Sequence, residues 1–187
     1  MARARYLAVL LSLLSAIVLS GCAGEESPPP PLQATASSAV GCKAGQSYQH
    51  TTLGYHLCFP GGWATRDYTA EPGSGGAVSV VAFGPSAAVP THVPSSGSFI
   101  PPIEVRVIGG TKDQAEASLT QGNPVTQTSV AGIPADRIVV AESGPASGTV
   151  IVVFERQGNT YEIEEAPGGT YEAAFNLVLM TFTFPAS

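Results

Sequence analysis

The chain has 187 residues, with eight Lys/Arg against fourteen Asp/Glu for a formal charge of −6, and is 44% hydrophobic but only 7% aromatic. So few cations argue against nucleic acid or anionic lipid headgroups as partners, because both are held through Lys/Arg clusters. The length suits one domain with a core of its own, behind an N-terminal leader.

The leader comes first. Arg3 and Arg5 precede an uncharged run from Tyr6 to Leu19, mostly Leu, Ala, Val and Ile. Residues 1–21 read as a signal peptide: the run is short of the about 20 apolar residues that span a bilayer, and it ends in small residues. The closing Leu19-Ser20-Gly21-Cys22 looks like a bacterial lipobox. In precursors of that kind the cysteine thiol receives a diacylglycerol and the chain is cut just before it. A buried core cysteine is the plain alternative, but such a cysteine needs no charged, apolar and small regions upstream in this order. Acyl chains such as palmitate contribute about 0.8 kcal/mol per buried CH₂, so one chain holds marginally and two hold firmly. The expected location is therefore the cell membrane, lipid-anchored through Cys22, with the domain on the extracytoplasmic side. With Arg3 and Arg5 removed, six Lys/Arg face fourteen acids and the mature charge is −8.

Residues 22–41 read as the lipidated cysteine and a tether. "AGEESPPPPLQATASSAV" offers almost nothing to bury, and its four consecutive prolines favour extended polyproline II geometry at about 3.1 Å per residue. No helix is expected there. Of the three cysteines, lipidation of Cys22 leaves Cys42 and Cys58. In an oxidising compartment they are expected to pair and contribute about 3 kcal/mol. A hairpin of Tyr48–Thr52 with Tyr55–Phe59, turning at Leu53-Gly54, would set Cys58 opposite Gln49. The chain before Gly45 must then fold back for the sulfurs to meet, and two buried thiols are the alternative.

Residues 42–187 read as a single α+β domain. "YHLCFP" (Tyr55–Pro60), "AVSVVAF" (Ala77–Phe83), "IEVRVI" (Ile103–Ile108), "DRIVVA" (Asp136–Ala141), "TVIVVFE" (Thr149–Glu155) and "TYEIE" (Thr160–Glu164) are rich in β-branched and aromatic residues and bounded by turn formers. In "IEVRVI" Ile103, Val105 and Val107 share one face and Glu104 and Arg106 the other, the pattern of a sheet with one wet side; "TVIVVF" is apolar on both faces, as in a covered central strand. "RQGN", Arg156–Asn159, reads as a hairpin turn with Gly158 and Asn159 at positive φ. A helix is expected over Lys112–Gln121, capped by Thr111 with Gln114 at capping-box spacing and stopped by Gly122-Asn123-Pro124. A second follows a Thr170 cap and sets Tyr171, Phe175, Val178 and Leu179 on one stripe, before a terminal strand Thr181–Phe184. Few helices, with strands joined mostly by short turns, give a mainly antiparallel sheet with helices packed on it.

"YHLCFPGGW" resembles the aromatic-rich Pro-x-x-Trp opening of the PsbP-like superfamily, "VAGIPADRIVV" its central Gly-x-Pro-Ala strand, and "GNTYEIEEAPGGTYEAAFNLVLMTFTF" its closing strand, helix and strand. The resemblance covers roughly Tyr55 to Phe184, and the chain is similar to bacterial lipoproteins of the family such as the LpqN group. It implies an α-β-α sandwich about an antiparallel sheet and an accessory or binding role with no shared catalytic motif. Other members include thylakoid-lumen photosystem II accessory subunits and a nuclear-transport relative. The stretch Gly84–Pro102 departs from the pattern and argues against a photosystem-type contact.

Chemistry-bearing residues are sparse. His50, His56 and His92 have no partners at metal-ligand spacing and read as ordinary surface or sheet histidines. No nucleophile elbow, zinc-protease motif or phosphate loop occurs, "PGSGG" (Pro72–Gly76) reads as a turn, and no cofactor is implied. Glu162 and Glu164, followed by Glu165, offer oxygen ligands for a hard cation, although a solvated sheet face accounts for them as well. Trp63 is either a stacking platform or a core filler. The loop Gly84–Pro102 is long for a compact domain, and its Val89, Val93, Phe99 and Ile100 are placed to cover one end of the sheet. Trp63, Val93 and Phe99 are thus the candidate binding residues.

Three function classes remain open. The favoured one is a non-catalytic, membrane-tethered accessory module that binds another envelope protein. A carrier or sensor of a small apolar ligand is second and requires a cavity with convergent polar groups. An enzyme is third, and requires distant Asp, Glu or His to converge in one cleft.

Overall fold

The computed structural model describes residues 41–43, 45–95, 99–141 and 144–186; the signal peptide, Cys22 and the tether up to Val40 lie outside them. Strands β1 (Gly45–Gln49) and β2 (His56–Pro60) form an antiparallel hairpin that pairs Gln49 with His56 and Ser47 with Cys58. The reversal takes residues 50–55, so the register differs by two from the tight turn expected at Leu53-Gly54. His50 is the physical reason: its Nδ1 accepts the backbone N–H groups of Thr52 at 3.3 Å and Leu53 at 3.1 Å, and the turn wraps round the imidazole. Before β1 the chain folds back and Cys42 bonds to Cys58, their Cα atoms 5.6 Å apart.

The remaining strands are β3 (Ala64–Asp67), β4 (Ser79–Gly84), β5 (Ile103–Gly109), β6 (Val125–Val130), β7 (Ile133–Val139), β8 (Val150–Arg156) and β9 (Asn159–Glu165). They build one antiparallel sheet in the order β3-β4-β5-β9-β8-β7-β6. Helix α1 (Lys112–Leu119) packs on β8 and β9 from one side; α2 (Glu172–Thr181), running beside β2, covers the other. The fold is α+β, with helices on opposite faces of the sheet.

Each of the six expected runs from Tyr55 to Glu164 falls in a strand. β3 and β6 were not legible: "VTQTSV" of β6 is exposed at every position but Val130, as an edge strand can be, and shows no buried alternation. β8 and β9 turn through Gln157 (φ 53) and Gly158 (φ 73), with Arg156 paired to Asn159. A two-residue loop of this type needs positive φ at its two central positions; Gly158 takes one of them as its type allows, and Gln157, not Asn159, takes the other. The same turn joins β6 to β7 through Ala131 and Gly132.

α1 begins as expected, with Gln114 Oε1 accepting the Thr111 N–H at 3.3 Å. It stops two residues early, at Leu119, where the Asn123 amide donates to the Leu119 carbonyl at 2.6 Å. α2 starts after Tyr171, not Thr170, and runs through Thr181, leaving no terminal strand. Thr181 Oγ1 donates back to Leu177 O and accepts the Cys58 N–H, which holds the last helical turn closed. Beyond it only Thr183 bridges, exchanging two 2.8 Å backbone bonds with His56.

One face of the sheet meets α2 and β2 in a continuous apolar cluster that includes Leu57, Phe59, Phe83, Val105, Phe154, Ile163, Phe175 and Phe182. Phe154 stacks on Tyr161 at 5.1 Å and meets Phe182 edge-on at 5.6 Å. Full burial of such side chains contributes about 1.5–3 kcal/mol each. β8 is covered on both faces, as its sequence suggested: Ile151 and Val153 pack with Ile138 and Leu119 on the side of α1.

Candidate functional site

The opposite face carries the candidate site. Alternation along β5 and β9 sends Glu104, Arg106, Glu162 and Glu164 to this side, and the register sets Glu104 across from Glu164 and Arg106 across from Glu162. Neighbouring strands flank this array with apolar rows, Val80 and Ala82 on β4 and Ile151 and Val153 on β8. α1 covers the second row, and the segments after β3 and β4 cover the first.

Those segments are ordered by specific bonds. After β3 the chain makes successive turns, Glu71 N–H to Tyr68 O, Ser74 N–H to Glu71 O and Ala77 N–H to Ser74 O. After β4, Gly84 lies so close to the loop that a Cβ there would fall 2.6 Å from Pro102 and 2.7 Å from Val89. Val89 is fully buried and the Tyr68 hydroxyl donates to the Pro90 carbonyl. Val93 and Phe99 then pack against Tyr68, Val80 and Ala82, with Phe99 edge-on to Tyr68 at 5.8 Å. The loop covers one end of the sheet as its apolar content suggested.

Between loop and sheet lies a cavity of about 170 Å³ lined by Tyr68, Val80, Val93, Phe99, Glu104 and Arg106, with Glu71 and Ser74 at its rim. The structure thus brings Val93 and Phe99 together and leaves Trp63 elsewhere. Trp63 packs half-buried on the α2 side of the sheet, edge-on to Tyr171 at 5.8 Å, as a core filler does. A second cavity, about 210 Å³ and mainly apolar, lies beside the disulfide between Cys42, Cys58, Leu177 and Thr181.

The wet sheet face expected for Glu104, Glu162 and Glu164 is not wet. Glu104 is 8% exposed and Glu162 7% exposed, and Glu164, though surrounded closely by protein, keeps a partial opening to solvent. Glu165 points the other way and is buried near α2, one oxygen without a hydrogen bond among the described residues. Arg106 is the array's one cation: Nε and Nη2 reach Glu104 Oε1 at 3.1 and 3.0 Å, and Nη1 donates to Ser74 O at 2.9 Å. Among the described residues Glu162 and Glu164 have neither a hydrogen bond nor an ion pair.

Burial pushes all three carboxyls above the usual carboxylate range. For Glu104 the Arg106 guanidinium works against burial. For Glu162 Arg106 also opposes, while Glu104 adds repulsion. Glu164 goes furthest, to about 7, because burial is reinforced by the charges of Glu104 and Glu162 and only weakly offset by Arg106. The sequence signal was present in "IEVRVI" and "TYEIE"; what it lacked was the covering layer that turns a polar face into a buried one.

A different polar network sits under α1. Lys112 Nζ bonds Asp136, Gln127 joins the same carboxylate, and Glu116 lies 3.8 Å from Lys112. The hydrogen bond raises the Lys112 pKa and lowers that of Asp136, as a satisfied structural pair behaves. Of the histidines, His50 organises its turn and faces Ser79 Oγ at 3.0 Å, His56 sits in β2, and His92 pairs with Glu71 at 2.9 Å. Among the described residues no three His, Cys, Asp or Glu are placed to hold a metal ion, and no helix is long and apolar enough to cross a membrane.

No protein-family model and no curated protein matches the chain. Among solved structures it is similar to the solution structure of cyanobacterial PsbP (CyanoP) from Synechocystis sp. PCC 6803, at 17% identity and a TM-score of 0.40, over 79% of this chain and 96% of that one. The α+β assignment rests on the strands and helices themselves.

Proposed function

We propose that the protein is a non-catalytic binding module of the cell envelope, anchored through lipid on Cys22, with the loop Gly84–Pro102 and the sheet face beneath it as its binding surface. The observation that carries this reading is the loop itself. After Gly84 its described residues form no helix or strand, yet Val89, Tyr68 and Pro90 fix it, and it holds Val93 and Phe99 over a cavity instead of closing the sheet completely. A long loop fixed by a rigid scaffold is where binding function concentrates. The partner in this reading is another envelope protein. A photoreactive residue at the exposed position Thr91, crosslinked in native membranes, is expected to capture one dominant protein; diffuse background would count against it. Cys22→Ser is expected to abolish incorporation of labelled palmitate and release the protein from the membrane fraction. Palmitate labelling that survives the substitution would remove the anchor from the proposal.

The cavity favours a second reading, a carrier or sensor of a small ligand. Its walls combine two aromatic rings and two valines with a buried ion pair, the mixture of apolar lining and few convergent polar groups typical of ligand sites.

A further inference from the structure

The carboxylates beside this cavity deepen the small-ligand reading, and a ligand class assigned from them rests on that reading. Glu104, Glu162 and Glu164 occupy adjacent register positions on one face with Arg106 as the one cation among them. Each nitrogen of that guanidinium already reaches Glu104 or Ser74 O, and none of them bonds Glu162. Glu162 is 7% exposed and, like Glu164 beside it, makes no side-chain hydrogen bond or ion pair among the described residues, its oxygens keeping only a narrow contact with solvent. An unpaired buried carboxylate is costly unless a positive group compensates it. Glu104 joins the array to the cavity: its Oε1 takes both Arg106 bonds, while its Oε2 has no partner among the described residues, and the residue is part of the cavity wall. Glu71 at the rim adds a further acid, with its Oε1 held by His92.

The kind of cation is set by the rest of the wall. The described residues hold no group of three ligands placed for a metal ion. Instead Tyr68 and Phe99 present rings, and Val80 and Val93 present apolar surface. Rings next to carboxylates suit an organic cation, whose charge meets the acids while its body is sheltered by the aromatics. The size admits one ring, since a cavity of about 150 Å³ takes up benzene. We propose that this cavity binds a small organic cation, an ammonium or guanidinium group on a single-ring or short aliphatic body, with Glu104 as its direct contact and Glu162 and Glu164 supplying negative potential from the next strand.

The test uses the full-length protein in detergent micelles and three probes of one shape: benzylamine, benzyl alcohol and benzoate, read by calorimetry and thermal shift. Benzylamine is expected to bind and raise the melting temperature, benzyl alcohol to bind at least about tenfold more weakly, as loss of a charge-assisted hydrogen bond implies, and benzoate not to bind. Glu104→Gln is expected to weaken benzylamine about tenfold and to leave benzyl alcohol unchanged. Glu164→Gln, which leaves the Glu104–Arg106 pair intact, is expected to weaken it a few-fold, more at low salt than at high. Equal binding of benzylamine and benzyl alcohol would overturn the cation assignment and leave the small-ligand reading standing. Binding of none of the three at millimolar concentration would overturn both.

Discussion

The two faces of the seven-stranded sheet come from the same strands and the same alternation, yet they were put to opposite uses. On the α2 side, β5, β8 and β9 contribute Val105, Phe154 and Ile163 to an apolar layer interrupted by Glu165 at the end of β9. On the other side, β5 and β9 contribute Glu104, Arg106, Glu162 and Glu164 between apolar patches. The first face gains free energy at nearly every position. The second gives some up by holding carboxylates away from water, a cost a fold does not need for its own sake. A sheet that concentrates apolar burial on one face and three adjacent acids on the other separates its scaffold from its candidate site.

That contrast is open to direct attack, beginning with the scaffold. Phe154→Ala removes a ring stacked on Tyr161 and touching Phe182, and is expected to lower unfolding free energy by about 3–5 kcal/mol in a denaturant titration. A loss near zero would mean that the apolar face is not the seat of stability. Next in size is the disulfide: Cys42→Ser with Cys58→Ser, which opens a loop of sequence separation 16, is expected to cost about 3 kcal/mol. A thiol titration of the unfolded, unreduced protein that found two free thiols would remove the basis for that figure.

On the charged face the expected effect has the opposite sign. The Glu164 carboxyl is raised in the folded protein to about 7. The folded state therefore binds its proton more tightly than the unfolded state, and the contribution is present at low pH and lost as pH rises from the ordinary carboxylate range through about 7. Glu164→Gln is expected to stabilise the protein by on the order of 2 kcal/mol at pH 8 and to change little at pH 4, because it removes a charge that burial disfavours and that Glu104 and Glu162 repel. Destabilisation at pH 8 would show that the carboxylate is paired in solution.

The smallest effect expected belongs to His50. Burial lowers its pKa, and its Nδ1 must stay unprotonated to accept two backbone N–H groups. Its contribution is present above the ordinary histidine range and lost as pH falls below it, opposite to Glu164. The stability difference between the protein and its His50→Ala variant is accordingly expected to grow gently with pH through 5 to 7. A flat profile there would show that the turn does not depend on the neutral ring.

Much of this was legible in the sequence. The apolar strand runs and the N-terminus of α1 follow from local pattern, because a β-branched run between turn formers has few other ways to bury itself. The pairing of Cys42 with Cys58 was expected from the count of cysteines, and the fold-back it demanded is present. Edge strand β6 was not legible, since a strand exposed on almost every residue leaves no periodicity to find. The longer β1–β2 turn hinged on one side chain, His50, bonding its own backbone. For the site, Val93 and Phe99 were found from loop length and apolar content, whereas Trp63 was placed with them only because tryptophans stack. Glu162 and Glu164 were recognised as a pair, but a sequence shows which residues share a face and not what lies on top of it.

The bond between Cys42 and Cys58 also determines how the protein carries mechanical load. A pull arriving from the N-terminal side of Cys42 crosses the disulfide straight into the middle of β2, and the chain between the two sulfurs never comes under tension. That takes a separation of 16 residues, about 50 Å of extended chain, out of the length that such a pull can draw out. The force is delivered instead where β2 is braced by β1, by the Thr181 hydroxyl and by the bridge from His56 to Thr183. Under reducing conditions the same pull would meet β1 first and peel it from the end, so the oxidation state of two sulfurs decides whether this domain is loaded in shear or unzipped.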